Sequence, residues 1–302
     1  MIASGRSRQG SADVPERLDI AVPAAAVLGE GPTWDDATGT LLWVDILASE
    51  VHRFDPATGR DTVAVRTPQH VGAAKPRAGG GLVVNLRDGI GRYAADGAFD
   101  WLAPLGEDGV RGNDAAVDAD GRLWAGTMRY DERPGGGRLY RVDPGGEVVT
   151  VLPEVSISNG IGWSPDGRLM YYIDTPSRRV DVFDVDRDTG LVARRRQFVD
   201  LARAPGFPDG LTVDADGCLW VALWDGGAVH RYTPTGVLDR VVGAPATRTT
   251  ACAFGGPGLG DLYITSASVG LDPARQAAEP LAGSVFVLPA AGSGLPGHAF
   301  AG

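Results

Sequence analysis

Five short segments of this 302-residue chain share one pattern, and four of them open on a carboxylate or an amide. They are EGPTWD from Glu30, NDAAVD from Asn113, NGIGWS from Asn159, DGLTVD from Asp209 and TACAFG from Thr250. A first step of 83 residues is followed by steps of 46, 50 and 41, and a weaker copy, HVGAAK at His70, sits inside the first step. A period of about 40–50 residues built from short strands predicts a β-propeller. In such a ring equivalent positions converge on one central channel, so oxygens from several repeats meet there. Carboxylate and amide oxygens gathered in this way suit a hard divalent cation.

The strand inventory predicts six blades. The first reads GPTWD, LLWVDI, VHRFDP and DTVAVRT, with DDATG and DPATG as turns in which Asp and Gly supply the hairpin chemistry. Strand, Asp-Gly turn, strand then recurs to the end, and no useful helical periodicity competes with it. The last blade offers only TACAFGG, DLYITSA and SVFVLP before the chain tapers off in Gly and Pro. The N-terminal strand RLDIAVP has no place in the first blade. Its expected place is the last blade, through Leu18–Val22, which closes the ring and hides two sheet edges. The reading is therefore all-β, a six-bladed propeller of four-stranded antiparallel blades over residues 17–302, preceded by a loose tail over 1–16.

Charge and composition exclude several functions. A net charge of −10 argues against a nucleic-acid partner, because phosphate binding relies on Lys and Arg. No run of about 18 apolar residues exists, so no membrane span is expected, and the first residues lack the apolar core of a signal peptide. Cys218 and Cys252 lie in apolar strands and read as buried thiols, so a cytoplasmic enzyme is the default expectation. The four histidines show no zinc-ligand spacing, and no G-x-S-x-G elbow occurs. The run from Asp184 imitates a calcium loop poorly, since Gly190 falls one place late and Arg195 stands where a Glu is needed.

Longer stretches carry a resemblance. GEGPTWD at 29–35, RGNDAAVDADGRLWAGTM at 111–128 and SNGIGWSPDGRLMYYIDT at 158–175 are similar to the senescence marker protein (regucalcin)/gluconolactonase family of six-bladed propellers. FPDGLTVDADGCLWVALW at 207–224 and AFGGPGLGDLYITSA at 253–267 extend the match in family order. The resemblance implies one divalent ion (Ca²⁺, Zn²⁺, Mn²⁺, Mg²⁺ or Fe²⁺) held by Glu30, Asn159 and Asp209. It implies substrate contacts from Arg111 and Asn113, and a further acidic contact from Asp131, for which Glu132 is the alternative in GTMRYDE. The chain departs from the family at NDA, where NDG is usual, and at TRTTACAFGG, where Pro-Thr-Ser-Cys is common.

The implied activity is hydrolysis of sugar-acid lactones, in which the ion polarises the ring carbonyl and activates a water. Asp209 is implied both as ligand and as proton acceptor. Two alternatives stay open: an esterase or phosphotriesterase at the same metal, and a calcium- or sugar-binding propeller without catalysis. Pocket walls are expected from the loops at 129–137 and 266–283.

Overall fold

The computed structural model describes residues 18–302, so the tail expected over 1–16 lies outside the described residues. Six four-stranded antiparallel sheets form the blades of a ring, as expected. The inner strands are Gly29–Asp35, Val71–Pro76, Val110–Val117, Ser158–Trp163, Phe207–Val213 and Thr249–Gly255. The N-terminal strand Asp19–Val22 completes the sixth blade, pairing Asp19 with Val287 and Ile20 with Phe286. Closure therefore uses the segment that had no partner in the first blade.

Blade faces bury their apolar residues against the next blade, and buried tryptophans anchor these layers. Trp43, Trp124 and Trp220 are almost fully enclosed. Each satisfies its indole N–H on an aspartate: Asp61 at 2.9 Å, Asp118 at 2.8 Å and Asp214 at 2.9 Å. In the two DADG turns the same aspartates also accept backbone N–H groups, Asp118 from Asp120 and Arg122, Asp214 from Asp216 and Cys218. One carboxylate thus shapes the turn and pairs a buried donor that would otherwise go unmet. Both cysteines are buried and unpaired with each other.

Each inner strand carries a one-residue bulge against its neighbour. In the fourth blade Ser158 opposes Asp174 while Ile161 opposes Tyr172, three steps against two. The fifth blade skips in the same way between Pro208 and Leu211, the third between Gly112 and Ala115, and the first between Glu30 and Thr33. A bulge re-aims the side chain at its position and twists the strand locally. Asn113, Asn159 and Asp209 all sit inside these bulges, and Glu30 at the edge of one. The glycines that follow two of them are not hairpin residues: a Cβ on Gly210 would lie 2.4 Å from Ala251 Cβ, and one on Gly160 2.8 Å from Leu211. Adjacent inner strands approach too closely there for any side chain.

The C-terminal Gly/Pro segment does not taper off loosely. Ala215 N–H donates to Ser293 O, Phe300 N–H to Pro76 O, Ala78 N–H to Phe300 O and Ala301 N–H to Gly121 O. Phe300 is fully buried among blade residues including Ala73, Val117 and Leu123. The segment is a strap joining blades five, two and three. The helical content of the described residues is small; one six-residue α-helix, Pro273–Ala278, is capped by Asp272 within the loop that joins Asp261–Ser266 to Val285–Leu288 in the sixth blade.

Candidate active site and metal centre

The bulges deliver their side chains to one end of the channel. A cavity of about 630 Å³ there is lined by Glu30, Arg111, Asn113, Asn159 and Asp209, with Tyr130, Glu132, Thr175, Trp224 and Arg248 on its walls. Five of the six site residues read from the sequence are thus brought together. Asp131 is not: it is exposed, and Arg129 binds it at 2.8 Å, which holds its carboxyl at about 2. Its neighbour Glu132, exposed as well and with a left-handed backbone at φ 53°, lines the cavity wall. Thr250, which shares the register, does not line the cavity; its hydroxyl donates to Gly29 O at 2.6 Å and ties blade six to blade one.

Glu30 and Asp209 are buried carboxylates that repel each other. Burial, then the charge of Asp114, pushes Glu30 up to about 8, against the smaller opposing pull of the Gly31 N–H, Arg111 and Lys75. Asp209 is likewise held well above its ordinary range by burial and by Glu30 and Asp114. Among the described residues Glu30 accepts one hydrogen bond, from its neighbour Gly31 at 2.9 Å, and Asp209 accepts none. Asn159 is more firmly held. Its Nδ2 donates to Thr175 Oγ1 at 2.8 Å, and its Oδ1 accepts from Asn113 Nδ2 at 2.7 Å. Arg111 Nη1 donates in turn to Asn113 Oδ1 at 2.6 Å and to Gly112 O at 2.9 Å.

The family model for the SMP-30/gluconolactonase/LRE-like region matches residues 28–268. The chain belongs to this family. It is 37% identical to regucalcin of Xenopus laevis over 95% of this chain and 99% of that one. It is also 37% identical to a pentonolactonase of Haloferax volcanii, over 91% and 95%. A crystal structure of a calcium-binding regucalcin from Agrobacterium tumefaciens superposes with a TM-score of 0.91 at 34% identity, covering 95% of this chain and 98% of that one.

The donor set fits a divalent ion. Two buried carboxylates with little hydrogen bonding of their own carry a repulsion that a cation between them would offset, and all the converging ligand atoms are hard oxygens. No three His, Cys, Asp or Glu side chains are arranged to hold a metal among the described residues. A centre here therefore depends on the Asn159 amide as its third ligand.

Sequence reasoning missed two charged neighbours of this cluster. Asp114 follows Asn113 directly, and burial raises its carboxyl. Lys75, the chain's only lysine, is buried at 8% exposure, donates to Thr33 Oγ1 at 2.6 Å, and is pushed down by burial. Its signal was available in HVGAAK, the weak sixth copy of the repeat. Both line a second cavity, of about 660 Å³, toward the other end of the inner strands, where Leu295–His298 of the C-terminal strap form part of the wall. The weak copy is offset by two residues: Arg87 N–H donates to His70 O as Ile46 N–H does to Leu28 O, so Gly72 and not His70 stands at the register. His70 lies outside the first cavity and meets Tyr130 Oη at 2.7 Å.

The raised Glu30 carboxyl predicts a pH signature. Its ordinary value near 4.5 belongs to the unfolded chain, and the folded value is about 8. Stability from the protonated group is therefore fully present below pH 4.5 and is lost as pH rises through 8. Chelator-treated protein should melt lower at pH 8.5 than at pH 5.5, and a divalent ion should raise the melting temperature more at pH 8.5. Glu30→Gln should flatten the slope in chelator and stabilise the metal-free protein by about 1–3 kcal/mol at pH 8. Melting curves for parent and variant across this range check it; identical slopes would remove Glu30 as the titrating group.

Proposed function

We propose that this protein is a metal-dependent hydrolase of sugar-acid lactones, with Glu30, Asn159 and Asp209 holding one divalent ion and Arg111 and Asn113 meeting the substrate. One observation carries the reading: the two buried carboxylates and the oriented amide face one cavity from equivalent positions at or beside the inner-strand bulges, and the Arg111 guanidinium, from the residue before the third blade's bulge, lines the same cavity. The activity named for the Haloferax pentonolactonase supports the substrate class. The description of the Agrobacterium regucalcin as calcium-binding supports a divalent ion. When bound, such an ion supplies Lewis-acid polarisation of the carbonyl and a more acidic water.

The chain's own residues supply the rest. Water adds to the ring carbonyl carbon, the bond from that carbon to the ring oxygen breaks, and the ring oxygen leaves as a hydroxyl of the opened acid. Asp209 accepts the proton lost by the water and returns one to the departing oxygen, so no net proton is held. Arg111 uses only Nη1 for protein partners among the described residues, which leaves donors of its planar fork to hold the lactone. Glu132 and Tyr130 offer oxygens on the wall for sugar hydroxyls, and Trp224, with Arg248 stacked 4.8 Å above its ring, offers an apolar face. A cation-binding propeller without turnover could use Arg111 to hold the Asn113 amide, but would have no use for the donors of the guanidinium that are left over.

The test is a pH-stat assay over aldonolactones of five- and six-carbon sugars, with simple esters and phosphotriesters as controls, before and after chelation. Lactone opening that disappears with chelator and returns with added ion is the expected result. Turnover of the controls alone, or lactone opening indifferent to chelator, would overturn the proposal.

A further inference from the structure

We infer that Thr175 is a positioning residue that fixes which end of the Asn159 amide faces the ion, an inference that rests on the metal centre proposed above. An amide can ligate a cation through its oxygen only, whereas its NH₂ end would turn two positive hydrogens toward it. A carboxylate such as Glu30 or Asp209 has no wrong end. The centre's third ligand is thus the one that needs an external orienting partner.

A continuous hydrogen-bond chain supplies it, and its direction is determined at both extremities. Arg111 can only donate, so the end of Asn113 that it meets is the oxygen. Asn113 then has only Nδ2 to give, and it donates to Asn159 Oδ1 at 2.7 Å and to Ser158 O at 2.9 Å. At the other extremity the Pro208 carbonyl can only accept. Thr175 Oγ1 gives it its single hydrogen at 2.9 Å, so toward Asn159 the same oxygen can only accept, at 2.8 Å. Each link admits one orientation. Asn159 Oδ1 keeps its second lone pair for the channel, and Pro208, which anchors the chain, directly precedes the ligand Asp209.

Comparison among the blades separates this role from ordinary packing. The backbone N–H of Thr175 donates to Ile157 O, two residues before Asn159. In the first blade the same bond runs from Ile46 to Leu28, two residues before Glu30, and in the sixth from Ala267 to Arg248, two residues before Thr250. Ile46 and Ala267 are buried and apolar. The fold accepts an apolar residue at this position, and where the register residue is an amide ligand the chain places a hydroxyl there instead.

The experiment is calorimetric titration of the parent, Thr175→Val and Thr175→Ser with Ca²⁺ and, separately, with Mn²⁺. Melting curves in chelator accompany each protein. Valine keeps the shape and removes the hydroxyl; serine keeps the hydroxyl. Loss of an orienting partner of this kind weakens metal binding about 10- to 100-fold, so that loss is expected for Thr175→Val with chelated melting close to the parent. Thr175→Ser should bind like the parent. Equal affinities for parent and Thr175→Val, or equal losses for both variants, would overturn the inference while leaving the metal centre standing. A parent that binds neither ion would overturn the centre and the inference together.

Discussion

Asp209→Ala is expected to abolish tight divalent-ion binding and to reduce lactone opening by about a thousandfold or more. The substitution removes one of the two proposed charged ligands and the proposed proton acceptor together, and general base catalysis alone is worth about 10²- to 10⁴-fold. The same variant should fold well. Asp209 accepts no hydrogen bond among the described residues, and its charge is one of those that Glu30 faces. Its removal relieves a buried repulsion, so melting in chelator should equal or exceed that of the parent, while the gain produced by added ion disappears. Calorimetric titration, melting and lactone assays on one preparation test all three statements. A variant that retained stoichiometric tight binding would take Asp209 out of the ligand set. One that bound the ion and lost only turnover would reduce it to the proton acceptor.

Arg111→Ala should lower kcat/KM for the lactone roughly ten- to a hundredfold, as expected for the loss of a charge-assisted hydrogen bond of about 1.5–3 kcal/mol. The family resemblance implied only a substrate contact for Arg111, and the hydrogen-bond chain adds a link to the ion site. Arg111 Nη1 fixes the Asn113 amide, which in turn meets Asn159, so its loss would loosen one proposed ligand. Its positive charge also opposes a cation at the same site, and removing it acts in the other direction. The two effects oppose, and ion affinity should stay within about tenfold of the parent. Arg111→Lys should recover little, because a single ammonium cannot donate to Asn113 and Gly112 and still present a planar fork to substrate. Titration alongside steady-state kinetics decides the matter; unchanged kcat/KM in Arg111→Ala would leave the substrate clamp unassigned.

The repeat made both fold and site legible together. Glu30, Asn113, Asn159 and Asp209 stand at one register, and a register in a ring points to one axis, so their convergence followed from spacing alone. Closure by Leu18–Val22 followed from counting strands, because a fourth strand was missing from one blade and spare at the other end of the chain. These features are periodic, and periodicity is what a sequence displays most directly. The C-terminal strap was illegible for the opposite reason. Its bonds are backbone bonds to blades five, two and three, made by Gly- and Pro-rich chain with no pattern of its own. The place of Glu132 rather than Asp131 on the cavity wall was likewise illegible, because the Arg129 guanidinium that pairs with Asp131 is a local contact that two adjacent acidic residues cannot announce.

What this chain's residues determined by themselves is the number of blades, the order of the strands and the convergence of Glu30, Asn113, Asn159 and Asp209 on the channel, since each follows from residue type at a fixed interval. The tertiary structure decided how those oxygens are held. The bulge that turns Asn159 inward, the hydroxyl of Thr175 that orients its amide, and the Asp114 and Lys75 charges beside Glu30 all depend on distances of a few ångströms between blades. Electrostatic and hydrogen-bond energies change steeply over such distances, and linear spacing carries no record of them.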